Sequence, residues 1–223
     1  MRKSIFLVLS VVLLFVGMLA NTEAATTPEG FTDLSARVIP VLGADAIYDL
    51  AIAGDNMYIG ASSGKFLRYN VSDGSVTDLT RKISFWGDWV NVYRLAYVPG
   101  ANAVYLGSGG KFARYNIDTD TVDDLTAVLN TPAGAYIVSI DYDFERGDVY
   151  ITFAACCCGQ SRLAKYTPSD NTVQYVYASG WCNNFQAAVF DPDNDSIYMG
   201  VGYLNFAESY RYSIETGAVT SIN

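Results

Sequence analysis

From residue 46 to residue 223 the chain alternates short apolar runs with turns rich in Asp, Asn, Ser, Thr and Gly, and the whole pattern repeats four times. Each copy carries an apolar-Tyr phrase, then a basic-Tyr pair, then a Val that opens a further run. The first reads Met57-Tyr58-Ile59-Gly60, Arg68-Tyr69 and Val76; the second Val104-Tyr105-Leu106-Gly107, Arg114-Tyr115 and Val122. The third reads Val149-Tyr150-Ile151, Lys165-Tyr166 and Val173; the fourth Ile197-Tyr198-Met199-Gly200, Arg211-Tyr212 and Val219. Runs this short and this rich in Tyr, Val and Ile predict strands, not helices. A small twisted sheet cannot bury both faces alone, so a strand-built unit repeating every about 45–50 residues predicts an all-β fold, a β-propeller of four-stranded antiparallel blades.

The repeats fall at about 46–80, 91–126, 137–177 and 185–222. Inner strands are expected at 48–53, 93–98, 138–142 and 186–190, with the Tyr anchors on second strands, the basic-Tyr pairs on third strands and outer strands opening at Val76, Val122, Val173 and Val219. Residues 25–45 precede them, and Phe31-Thr32-Asp33-Leu34-Ser35 copies the outer-strand phrase Val76-Thr77-Asp78-Leu79-Thr80, so a further outer-type strand is expected at 31–35. Four blades are visible, which leaves either a four-bladed ring or part of a longer propeller.

Arg114-Tyr115-Asn116-Ile117-Asp118-Thr119-Asp120-Thr121-Val122-Asp123-Asp124-Leu125 and its three copies resemble the kelch-type propeller repeat, with the exported WD40-like propellers fitting nearly as well. Val76, Val122, Val173 and Val219 stand where kelch repeats usually have Trp, and the kelch Gly-Gly doublet is kept only at Gly109-Gly110. The resemblance implies the architecture and leaves function to the site, since propellers host many activities.

The N-terminus reads as an address. Arg2-Lys3 precede the apolar run Ile5 to Ala20, and Thr22-Glu23-Ala24 supplies a cleavage site, so residues 1–24 are expected to be a signal peptide and the protein secreted or extracytoplasmic. The alternative is an uncleaved membrane anchor; no later run is apolar for long enough to span a membrane. Export places Cys156, Cys157, Cys158 and Cys182 in an oxidising compartment, where Cys182 is expected to bridge to the loop of three, with Cys158 as the assigned partner. A vicinal bond within the loop is the alternative.

Composition narrows function by exclusion. The formal charge is −9 and the one basic run is Arg81-Lys82, which argues against nucleic acid as a partner. The chain has no His, the commonest general base and transition-metal ligand. No cofactor, metal or catalytic residue is assigned. Asp191, Asp193 and Asp195 have the alternate spacing of a calcium loop, but no bidentate Glu follows, and a tight turn explains them equally. Asn70-Val71-Ser72 and Asn194-Asp195-Ser196 match the glycosylation pattern.

Propeller wiring sends the first-to-second and third-to-fourth loops to one face, which is acidic, and the other loops to the opposite face, which gathers all three Trp and all four Cys. Trp86, Trp89 and Trp181 are the expected ligand platform, with Asn183, Asn184 and Lys111 as polar contacts, for an extracellular glycan or protein partner. Trp residues in such loops also serve as plain caps on blade ends. The expected function is a non-catalytic exported binding module; the alternative is a polysaccharide lyase or glycosidase using carboxylates, for which Asp88 and Glu208 stand nearest the Trp residues.

Overall fold

The computed structural model describes residues 33–87, 90–131, 134–155, 159–181, 184–203 and 206–222, and those from Leu34 onward form one compact body. It opens with helix α1, Ser35–Leu42, and then forms sixteen strands in four sheets, each sheet made of four strands consecutive in sequence. The first blade is β1 (Ile47–Ala53), β2 (Asn56–Ala61), β3 (Phe66–Asn70) and β4 (Val76–Asp78). The second is β5 (Arg94–Val98), β6 (Ala103–Ser108), β7 (Lys111–Asn116) and β8 (Thr121–Asp124), followed by a single helical turn, α2 (Thr126–Leu129). The third is β9 (Ala135–Asp143), β10 (Asp148–Ala155), β11 (Gln160–Thr167) and β12 (Thr172–Trp181); the fourth is β13 (Phe185–Asp191), β14 (Ser196–Tyr203), β15 (Phe206–Ser213) and β16 (Val219–Ser221). All pairings are antiparallel, so the chain is the expected all-β propeller of four-stranded blades.

Both residues of the repeated phrase turn out to be halves of one lock between blades. Tyr58 of the first blade meets Tyr115 of the second with ring centroids 5.6 Å apart; Tyr105 meets Tyr166 at 5.7 Å, and Tyr150 meets Tyr212 at 6.4 Å. The apolar-Tyr ring of one blade thus packs on the basic-Tyr ring of the next, an arrangement worth about 0.5–1.5 kcal/mol beyond the area it buries. Phe66 and Phe112 add an edge-on contact to the incoming Tyr115 and Tyr166. Two of the incoming hydroxyls are satisfied within their own blade, Tyr115 by Asp120 at 2.8 Å and Tyr166 by Asn171 at 3.0 Å.

Polar hooks near the axis set the blades in register. Asp49 accepts the Leu95 backbone N–H at 2.8 Å and Asp141 accepts that of Phe190 at 2.6 Å, while Ser139 donates to the Ala188 carbonyl and Arg94 to that of Val138. Gly60 and Gly107 make room for this approach, since a Cβ on either would lie 2.8 Å from a side-chain carbon of the next blade, on Val92 and Ile137 respectively. The inner strands pack in the order β1 on β5, β5 on β9 and β9 on β13. No packing of like extent joins β13 to β1 among the described residues, so the four blades form an arc.

The N-terminal segment departs from expectation. Residues 31 and 32 lie outside the described residues, Asp33 and Leu34 are in no strand, and Ser35 opens α1. Leu34, Val38 and Leu42 recur every four residues, a helical spacing that puts them on one side. That side covers Ile59, Leu67 and Tyr69, the face of the first blade turned away from the second. Gly43, at φ 73°, ends the helix and donates to the Ile39 carbonyl at 2.7 Å. Among the described residues no helix is long and apolar enough to cross a membrane.

Candidate functional site

Two equivalent clefts open between blades on the face of the blade-to-blade connections. In the first two blades the outer strand ends in Asp-Leu-Thr: Asp78 and Asp124 accept the N–H of Thr80 and Thr126, and Leu79 and Leu125 turn into the core. Each threonine hydroxyl then accepts a backbone N–H of the third strand, from Phe66 at 3.3 Å and Phe112 at 3.2 Å. The chain therefore leaves both blades by the same turn, and each turn forms one wall of a cleft.

The first cleft, of about 410 Å³, lies between the loop at Ser63-Gly64 and the 3-10 turn Thr80–Trp86, with Arg81, Ser84 and Trp86 on that turn. The second, of about 390 Å³, lies between Gly110-Lys111 and the turn carrying Thr126, Asn130 and Thr131. Both volumes suit a small ligand or one residue of a larger one. Each holds one cation, Arg81 in the first and Lys111 in the second, and neither is ion-paired among the described residues. At the rim of the first, Ser62 and Ser63 donate to the Asp45 carboxylate, holding its pKa below the usual aspartate value, with Lys65 nearby adding to the effect.

Trp86 lines the first cleft but is only 6% exposed, packed between the first two blades, its indole N–H without a partner among the described residues. Its neighbour Phe85, edge-on to Trp86 at 6.0 Å, is 46% exposed. Asn184 is half-buried, its side-chain oxygen without a partner among the described residues. Trp181 ends β12, and Gln160 pairs with it in the ladder. Trp89, Asn183, Asp88 and the expected bridge between Cys158 and Cys182 lie outside the described residues. The structure thus brings Trp86 and Lys111 to equivalent clefts, and adds Arg81, which the sequence reading passed over as a site residue; Phe85 adjoins Trp86 without lining the cleft. The signal for Arg81 was position: it stands in the same connector as Trp86, in the basic run Arg81-Lys82.

Elsewhere the candidates are engaged. Glu208 accepts a hydrogen bond from Tyr210, which pushes that phenol up to about 12. Asp195 pairs with Arg146 at 2.6 Å and Asp191 accepts from Asp193 and Asn194, so the Asp191–Asp195 segment is a closed turn. The side-chain nitrogens of Asn70 and Asn194 donate to Asn56 and Asp191. Asp120 pairs with Lys82 at 3.0 Å and Asp123 with Arg114 at 2.7 Å, so these acids are engaged as well.

No family model matches the chain, and no curated protein matches it. Solved structures do. The extracellular domain of a B. thetaiotaomicron protein described as a one component system superposes with a TM-score of 0.62 at 18% identity, over 79% of this chain and 22% of that one. A second structure of that domain, described as part of a hybrid two component system, gives 0.61 at 18% over the same shares. Kuenenia stuttgartiensis hydrazine synthase gives 0.61 at 12% identity, over 79% of this chain and 49% of that one. The chain spans less than half the length of each, and at these identities what they share with it is the propeller fold.

Proposed function

We propose that the protein is an exported, non-catalytic binding module that engages a glycan or protein partner through the inter-blade clefts of its connection face. The observation that carries this reading is the recurrence of one cleft design at two junctions, each with a single cation not ion-paired among the described residues, on a chain whose net charge is −9. A cation kept out of ion pairs on an acidic protein favours a ligand with carboxylate or sulfate groups, since elsewhere the chain repels anions. Phe85, exposed and in contact with Trp86 on the same connector, supplies a flat apolar surface of the kind on which a sugar ring or an interface side chain rests. The N-terminal address and the extracellular origin of two structural neighbours support a location outside the cytoplasm.

A glycan array, with a pull-down from extracellular material beside it, tests the reading. Arg81→Ala and Lys111→Ala are each expected to weaken binding about tenfold, and Phe85→Ala by a similar factor, whereas Asp118→Ala and Asp73→Ala on the opposite face leave it unchanged. Equal losses from both sets would place binding elsewhere.

A further inference from the structure

The Tyr–Tyr lock has a direction, and in the fourth blade its forward half is uncovered by the described residues. In the first three blades the residue paired with the apolar Tyr on the inner strand (Ala51 with Tyr58, Ala96 with Tyr105, Asp141 with Tyr150) is covered by the next blade. In the fourth blade that residue is Val189, paired with Tyr198, and it is 56% exposed. Gly200 stands in the register of Gly60 and Gly107, yet a Cβ there would meet nothing within 4 Å. Tyr198 has no ring partner among the described residues. The fourth blade therefore presents the same forward face that docks a blade at every earlier junction.

The matching rear face exists in this chain, on the first blade, and α1 sits on it. Tyr69, Leu67 and Ile59 occupy the registers that Tyr115, Ala113 and Leu106 occupy in the second blade, where these receive the first. The helix stands in for a preceding blade even in its charge. Arg37 lies against Gly74 in the β3–β4 turn and acts on Asp73, much as Arg68 acts on Asp120 in the corresponding turn of the second blade. But α1 is a weak cover. It has eight residues, Pro40 inside it, no side-chain cap and no acid in its first turn, and helices so short are marginal alone.

We propose that the forward face of the fourth blade docks the first blade of a second copy of this chain, displacing that copy's α1, with Tyr198 against Tyr69 of the second copy and Arg211 taking the place of Arg37 beside its Asp73. Two such contacts, related by a two-fold axis, join two four-blade arcs into one closed ring of eight blades. That count lies within the range of propellers, and closed two-fold assemblies are the commonest.

Sedimentation equilibrium of the full chain over a wide concentration series tests this. A two-copy species is expected, weakened at least about tenfold by Val189→Glu, an exposed position whose change leaves the single copy folded. Val38→Asp, which loosens α1 from Leu67 and Tyr69, is expected to strengthen it. Hydrogen exchange on the unmodified chain gives an independent reading: as concentration rises, amides of β13–β16 gain protection while those of α1 lose it. A single copy at every concentration, larger open assemblies, or a two-copy species indifferent to Val189→Glu would overturn the proposal. So would a two-copy species in which α1 keeps its protection, because the fourth blades would then be pairing with each other.

Discussion

Tyr58, Tyr105 and Tyr150 are three residues in one role, and their hydroxyls share one defect: among the described residues none has a partner in ordinary hydrogen-bond geometry, although Arg68 stands near that of Tyr58, and Arg114 and Tyr166 near that of Tyr105. Burial is the leading cause that raises all three phenols, so they stay neutral and act as apolar rings. An orphaned buried hydroxyl costs about 1–3 kcal/mol, while the ring beneath it holds two blades together. Tyr105→Phe is therefore expected to leave stability unchanged or raise it by up to about 1 kcal/mol, whereas Tyr105→Ala lowers it by about 3–5 kcal/mol, both read from urea unfolding. That these rings are buried anchors was legible from the recurring phrase. That each meets a basic-Tyr ring from the following repeat was not, because a periodic sequence looks the same whether a motif contacts its own copy or the next. The clefts were half legible: Trp86 and Lys111 lie at them, but a single surface Arg such as Arg81 is marked only once the loop at Ser63-Gly64 folds back beside it.

At the scale of the element, strands were easier to read than their surroundings. Alternation and turn residues placed the inner strands within a few residues of β1, β5, β9 and β13. The shared phrase misled at residues 33–35, where likeness to an outer strand outweighed the four-residue spacing of Leu34, Val38 and Leu42; what decides is that this apolar stripe has a blade face to cover. Outer strands also differ from the expectation of one form. β4 and β8 stop where Asp78 and Asp124 cap the next turn, while β12 runs on to Trp181. Gly60, Gly107 and Gly200 occupy one register of the second strand and give a clean comparison. Gly107→Ala is expected to cost about 1–3 kcal/mol by crowding Ile137, and Gly60→Ala a similar amount against Val92. Gly200→Ala should cost less than about 0.5 kcal/mol in dilute protein, measured as shifts in the unfolding midpoint.

Across the whole molecule, two of the junctions rest on a half-buried carboxylate. Burial is the first cause that raises the pKa of Asp49 and of Asp141, outweighing the backbone N–H groups each accepts. A carboxyl raised in the folded state binds its proton more tightly there than in the unfolded chain, so its contribution to stability is full at low pH and declines as pH rises from 3.8 through the raised value. Growing self-repulsion of an acidic chain acts in the same direction. The double variant Asp49→Asn, Asp141→Asn keeps a side-chain oxygen at each hook and is expected to flatten this decline, as read from urea midpoints over a pH series. A profile as steep as that of the unaltered chain would show that general charge, not the hooks, sets the slope. The one-way lock has a further consequence for how such a chain can change over generations. Because every blade offers one kind of ring forward and accepts another kind behind, a repeat cut out or duplicated whole leaves each remaining junction chemically the same. A shift of boundary by half a repeat would set like against like, so the gene can grow or shrink in steps of a blade, and point changes at the two Tyr registers are the ones it can least tolerate.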